Sequence, residues 1–227
     1  MKKEQKYVAK VFSNSREKCY ECYRPKSSCM CEHFEHIQTQ TKFVVLMHPK
    51  EFKKVKNNTG HFTHKSLLNS ELFIGIDFSD HRRINEIIAT HESYILFPST
   101  DALNLSEQEL KSSTKPMAIF LIDSTWACTK KMFTLSKNLN TLKHISFTTK
   151  RTSAYEIKVQ PDERYLSTIE STLVVLELLN AQNREDIAIK KLENFLNPFY
   201  KMIEYQKELI ANPKSHAVRF KKRDIRR

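Results

Sequence analysis

The chain predicts an α/β fold on a mainly parallel sheet with flanking helices. Two observations predict it. Short, continuous apolar runs of strand length recur along the chain, and helical patterns lie between them. Runs without polar alternation belong to strands buried on both faces. The helices between them supply the crossovers that parallel strands require.

The elements follow in order. Met1 to Lys6 is basic with no apolar stretch behind it, which is not a signal peptide. No segment reaches the ~18 consecutive apolar residues of a membrane span, so the chain is expected in the cytoplasm. Cys19, Cys22, Cys29 and Cys31 follow, spaced C-x2-C-x6-C-x-C. In a reducing compartment such a cluster is either a set of free thiols or a metal knuckle. Four thiolates this close suit a closed tetrahedral zinc shell, structural rather than catalytic. Arg16, Lys18, Arg24 and Lys26 would offset its charge, and His33 and His36 lie near enough to replace a ligand. Cys128 stands alone and reads as a small buried residue.

Phe43–Met47, Leu72–Ile76, Tyr94–Phe97 and Met117–Ile122 are the predicted strands. Helices are predicted over about Gly60–Leu68, Arg82–Thr90 and Ser106–Ser112, the last with Ser106 and Glu109 spaced as a capping box. A second box, Ser167 with Glu170, opens the helix carrying Leu173, Val174, Leu176, Leu178 and Leu179. An amphipathic stretch from Arg184 to Ile210 follows, which Pro198 should break or kink. The expected organisation is a metal-knuckle segment at 1–40, a catalytic domain at 41–182, and a helix with a basic tail at 183–227.

The 227 residues carry a formal net charge of +12, with 40% hydrophobic and 28% charged residues. This describes a globular protein with a polyanionic partner, nucleic acid first. From Lys214 to Arg227 seven basic residues face only Asp224, a net +6. That tail reads either as a solvated end or as a phosphate-binding arm. No membrane association and no obligate protein partner are expected. Gly60 and Gly75 are the only glycines. A Rossmann dinucleotide site or a P-loop needs several for close backbone approach to phosphate, so both are excluded.

The Met117–Ile122 strand runs into Asp123-Ser124-Thr125-Trp126, with the chain's only tryptophan. Ligands sit at the carboxyl ends of strands in open α/β sheets, which makes Asp123, Thr125 and Trp126 site candidates. The competing reading is a helix start, with Asp123 as N-cap and Trp126 in the core. His48, Pro98 and Ser99 end two other strands and are candidate pocket walls.

This Asp-x-Thr-Trp run resembles the signature of the DTW-domain family. Three other stretches match that family in order: Cys19-x-x-Cys22-x-Arg24-Pro25 with Cys29 and Cys31; Leu46 to Glu51 with Thr59-Gly60; and Ser153-Ala154-Tyr155 with Pro161 and Leu166 to Glu170. The resemblance spans about residues 19–170. Lys158 stands where the family often has arginine, keeping the charge but losing the bidentate fork.

The resemblance implies a tRNA-uridine aminocarboxypropyltransferase, similar to the SPOUT group, with a C-terminal knot in the sheet. It implies S-adenosyl-L-methionine (SAM) as co-substrate, beside the structural zinc, and tRNA as the partner. Asp123, Thr125 and Trp126 are then the catalytic candidates, with Asp123 either deprotonating uridine N3 or orienting the SAM amino group. His48, Pro98, Ser99, Asp123 and Trp126 are the cofactor-binding candidates. Tyr155, expected to stack on the target base, joins Lys158, Arg219, Lys221, Lys222, Arg223, Arg226 and Arg227 as RNA-binding candidates. The alternatives are a SPOUT-type RNA methyltransferase and a non-catalytic zinc-containing RNA-binding module.

Overall fold

The computed structural model describes residues 17–53, 58–111, 113–155 and 165–212. Among them six strands form one sheet: β1 (Lys42–Met47), β2 (Ser70–Ile74), β3 (Glu92–Leu96), β4 (Leu103–Asn104), β5 (Met117–Asp123) and β6 (Lys143–Ser146). The order across the sheet is β2-β1-β5-β3-β6-β4, and each pairing is parallel. The described helices are α1 (Pro49–Phe52), α2 (Thr59–Ser66), α3 (Arg82–Thr90), α4 (Trp126–Leu135), α5 (Thr168–Ala181), α6 (Ile189–Asn194) and α7 (Asn197–Ala211). None is long and apolar enough to cross a membrane.

The pleat explains why the central strands are apolar throughout. Alternate residues point to opposite faces, and both faces are covered. Phe43, Val45, Ile119 and Leu121 join one buried cluster with Phe62 of α2, Leu173 and Leu176 of α5, and Phe199 and Met202 of α7. Val44, Leu46, Ala118 and Phe120 join the other, with Ile84 and Ile87 of α3 and Met132 of α4. Each large apolar side chain buried this way contributes about 2 kcal/mol. The first cluster also takes in Met30 and Ile37, so the cysteine-bearing segment and the carboxyl-terminal helices share one core with the sheet.

Two sequence expectations change. No helix forms over 106–111. Leu105 N–H bonds to Ser146 O at 2.8 Å. The Ser106 hydroxyl donates to Thr148 O and accepts from Thr148 N–H, both at 3.0 Å. The segment turns back just past β4, with Glu107 and Gln108 N–H on Asn104 O at 3.0 and 2.9 Å, and the serine that might have capped a helix is committed to Thr148 instead. Strand β6 escapes prediction because Lys143-His144-Ile145-Ser146 holds one apolar residue and forms no run. The Ser167–Glu170 box is present, with Ser167 N–H on the Glu170 carboxylate at 2.8 Å. Pro198 follows the expected break in the 184–210 stretch, at Phe195 and Leu196 between α6 and α7. It lies in the first turn of α7, where its missing N–H has no partner to lose. The chain path on which the implied knot depends includes 156–164, outside the described residues.

Glu185 closes the fold at the foot of the sheet. It is buried, and its two oxygens accept Gln40 N–H at 2.8 Å and Thr41 N–H at 2.7 Å, just ahead of β1. Removing the carboxylate strands those amides. Glu185→Ala is expected to cost about 2 kcal/mol, read as a lower urea midpoint. An unchanged midpoint would show that water replaces it freely.

Candidate active site

The six described strands being parallel, their carboxyl ends share one edge. Asp123 ends β5 there, level with Met47 of β1, and its carbonyl accepts His48 N–H at 3.1 Å. By strand parity its side chain follows Ile119 and Leu121, toward α2 and α5. The carboxylate is 9% exposed. Its Oδ1 accepts the Thr168 hydroxyl at 2.8 Å, from the first residue of α5. On another side lies Gly60, in the first turn of α2. A Cβ there would stand 2.6 Å from Asp123 Cγ and Oδ2. Only a glycine lets that helix approach the carboxylate so closely. Two helix amino termini therefore meet at Asp123, and their positive ends favour an anion between them.

In the same first turn of α5, buried Glu170 fixes the neighbouring loop. Its carboxylate accepts Ser153 hydroxyl and Ala154 N–H, both at 2.8 Å, beside the Ser167 hydroxyl at 2.6 Å. This places Tyr155 inside the core, 4% exposed, with its ring 5.3 Å from that of Phe199. Burial holds its phenol proton well above the usual tyrosine range. The base-stacking role expected of Tyr155 is not available to a ring packed this way.

The signature residues separate by environment. Thr125, not Asp123, is the N-cap of α4, and its side chain makes no cap bond. Thr125 is exposed, and Trp126 is 50% exposed rather than in the core. His48 is buried and caps α1, with Nδ1 accepting Lys50 N–H at 3.1 Å. Pro98 and Ser99 are exposed beyond β3. The register Leu96↔Leu121 puts Pro98 level with Asp123, while the Ser99 hydroxyl pairs with His144 Nδ1 at 2.8 Å. Cys128 is half-buried on α4. Lys158, Arg219, Lys221, Lys222, Arg223, Arg226 and Arg227 lie outside the described residues. Gly60 and Thr168 gain roles the sequence does not assign. Their signal is membership of the two motifs flanking Asp123.

The cysteines converge. The four sulfurs lie within 4.8 Å of one another, with Cys19–Cys31 at 3.6 Å and Cys22–Cys29 at 3.7 Å. A zinc tetrahedron with bonds of about 2.3 Å has edges of about 3.8 Å, so the sulfur set fits that ion. Backbone amides of Cys22 and Glu21 pull the Cys19 thiol down to about 6, while burial pushes the Cys29 and Cys31 thiols up. Tyr23, at φ 57°, turns the chain between the pairs. The knuckle is tied to the domain by Arg24, a buried guanidinium that donates to Ser28 O at 2.7 Å and lies over the Phe62 ring of α2.

Residues 16–207 match the family model described as the DTW domain. The chain belongs to the DTW-domain family. Among similar proteins, tRNA-uridine aminocarboxypropyltransferase 2 of Mus musculus is 31% identical over 175 residues, 74% of this chain and 58% of that protein. The protein of the same name in Drosophila melanogaster is 28% identical over 200 residues, 85% and 76% of the two chains. tRNA-uridine aminocarboxypropyltransferase A of Arabidopsis thaliana is 28% identical over 143 residues, 54% and 52% of the two chains. The chain thus spans under two thirds of the length of the mouse relative. No solved structure matches.

Alanine normally stabilises a helix over glycine by about 1 kcal/mol. Gly60→Ala is expected to do the opposite here and lower the thermal midpoint, because the methyl enters the Asp123 carboxylate. A raised midpoint would mean that the carboxylate can move aside.

Proposed function

We propose that this protein is a tRNA-uridine aminocarboxypropyltransferase, moving the 3-amino-3-carboxypropyl group of SAM to N3 of a tRNA uridine. The observation that carries the reading is the family match over 16–207, with relatives of that name. The Asp123 edge supports it, since a carboxylate at the strand ends suits a cationic small molecule.

In the reaction the N3–Cγ bond forms as the Cγ–sulfur bond breaks. The bonding pair stays on sulfur, 5′-methylthioadenosine leaves, and the N3 proton passes to solvent. Which carbon next to the sulfonium is attacked depends on which one faces N3, so the aminocarboxypropyl arm has to be held in place. Asp123 is suited to that. Its carboxylate already accepts the Thr168 hydroxyl and rests where two helix amino termini meet. So held, it is placed to take the SAM ammonium. Thr125 and Trp126 border the same edge, with His48 and Pro98 as walls. The cysteine tetrad holds structural zinc, and the basic residues from Lys214 to Arg227 and Lys158 engage tRNA phosphates.

Incubation with unmodified tRNA and SAM should add about 101 Da to a uridine, whereas methyl transfer would add about 14 Da and a binding module nothing. Asp123→Asn should weaken SAM binding at least about tenfold by calorimetry. A large fall in turnover with SAM affinity intact would instead make Asp123 the base. Zinc removal by a chelator should release one ion per chain and lower the thermal midpoint. A metal-free protein with an unchanged midpoint would reject the structural role.

A further inference from the structure

The face of α5 turned away from Asp123 borders a separate hollow. At about 3.6 residues per turn, Glu170, Leu173, Glu177 and Ala181 lie opposite Thr168 on that helix. Facing them are α6, the start of α7 and the loop after β6, and a cleft of about 900 Å³ runs between. The buried side chains of Leu173, Leu192 and Leu196 form its floor. Tyr200, 47% exposed, and Ile189, 73% exposed, stand on its rim. Lys150, Arg151 and Thr152 line its mouth. They follow β6 at the carboxyl edge of the sheet, so the cleft opens beside the candidate active site without sharing its carboxylate.

The charges in this cleft are unevenly engaged. Arg151 is held by the Glu177 carboxylate, at 2.8 and 2.9 Å. Glu170 is held by Ser153, Ala154 and Ser167. Lys150 at the mouth and Glu193 in the α6 wall are both exposed, and neither has an ion pair among the described residues. A phosphate backbone laid along the cleft would run against Glu177 and Glu193, and so would an acidic peptide. One phosphate on Lys150 meets no such repulsion. A flat, uncharged ring then fits the leucine floor beside Tyr200, provided that it turns N–H donors toward Glu193. Among the four RNA bases only guanine has two adjacent donors, N1–H and the N2 amine, which pair with a carboxylate side by side. Uracil would set carbonyl oxygens against it.

The geometry points to a guanosine-reading subsite for the tRNA substrate: an unpaired guanosine other than the target uridine enters this cleft, its base beside Tyr200, its N1 and N2 edge on Glu193 and its phosphate on Lys150. This rests on the transferase reading for the identity of the RNA, while the preference of the cleft is tested without any transfer. The aromatic ring and the lysine supply affinity for any nucleotide. The choice of base lies with Glu193.

Lys150 and Glu193 are exposed, so their variants leave the core intact. Fluorescence anisotropy of end-labelled pentanucleotides with the full-length protein reads the preference directly. UUGUU should bind at least about fivefold more tightly than UUUUU, UUAUU or UUCUU. Glu193→Gln should erase that preference, and Lys150→Ala should weaken UUGUU binding about threefold or more. Equal binding of the four by wild-type protein overturns the proposal. So does a preference that survives Glu193→Gln, or an affinity unmoved by Lys150→Ala. Sedimentation of the wild-type protein as a dimer that Ile189→Glu separates would give the cleft to a second copy and overturn it too. With tRNA and SAM, Glu193→Gln should raise KM for tRNA at least about fivefold, with kcat and SAM affinity unchanged. An unmoved KM rejects the subsite. Product analysis keeps the two ideas apart. Transfer product without a guanine preference sinks the cleft and leaves the transferase. A guanine preference without product does the reverse.

Discussion

Taking a carboxylate out of water costs several kcal/mol unless donors or positive ends replace the water. Asp123 stands at the end of the central strand under that constraint, and the surrounding structure is arranged to meet it. The Thr168 hydroxyl reaches it from α5, and α2 comes close enough only because residue 60 lacks a side chain. Both helices are thereby fixed against the sheet. From α5 the constraint passes through Glu170 to Ser153 and Ala154, and through Tyr155 to Phe199 of α7. The three acidic groups buried among the described residues divide their work. Glu185 and Glu170 bond backbone amides and hold the chain in place. Asp123 bonds a side chain on one oxygen and faces the edge where ligands collect.

The core strands were legible because a sheet covered on both faces leaves a plain record. Phe43 to Met47 and Met117 to Ile122 are apolar at every position, and both are strands. The edges leave a weaker one. Ile145 alone anchors β6, and Ser106 looks like a helix cap until its partner, Thr148, is seen beside it. Local spacing describes what a residue can bond, not which distant neighbour offers the better bond.

The site was half legible for the same reason. Asp123 is visible as an acid after an apolar run, and the cysteines as a cluster, because both signals are local. That Thr125 caps the helix, that Trp126 faces out and that Tyr155 faces in depend on packing between segments far apart in sequence. The pairing of Gly60 with Asp123 is of this kind. In the sequence Gly60 counts only as one of two glycines and one letter of a motif. In the fold it sets how near a helix comes to the carboxylate.

The parallel sheet has a consequence for how the chain reaches this state. Among the described residues no pair of neighbouring strands is joined by a hairpin. The central contact, Phe43 beside Ile119, closes a loop through most of the first half of the protein, and β2, β3 and β4 all lie within that loop. Little of the sheet is rewarded early, since each ladder waits on a distant partner and on the entropy lost in bringing it in. Such a chain folds slowly for its size and exposes Val-, Ile- and Phe-rich segments while it does so. Its time of greatest risk is then during synthesis, before β5 has emerged to sit beside β1, rather than in the finished fold.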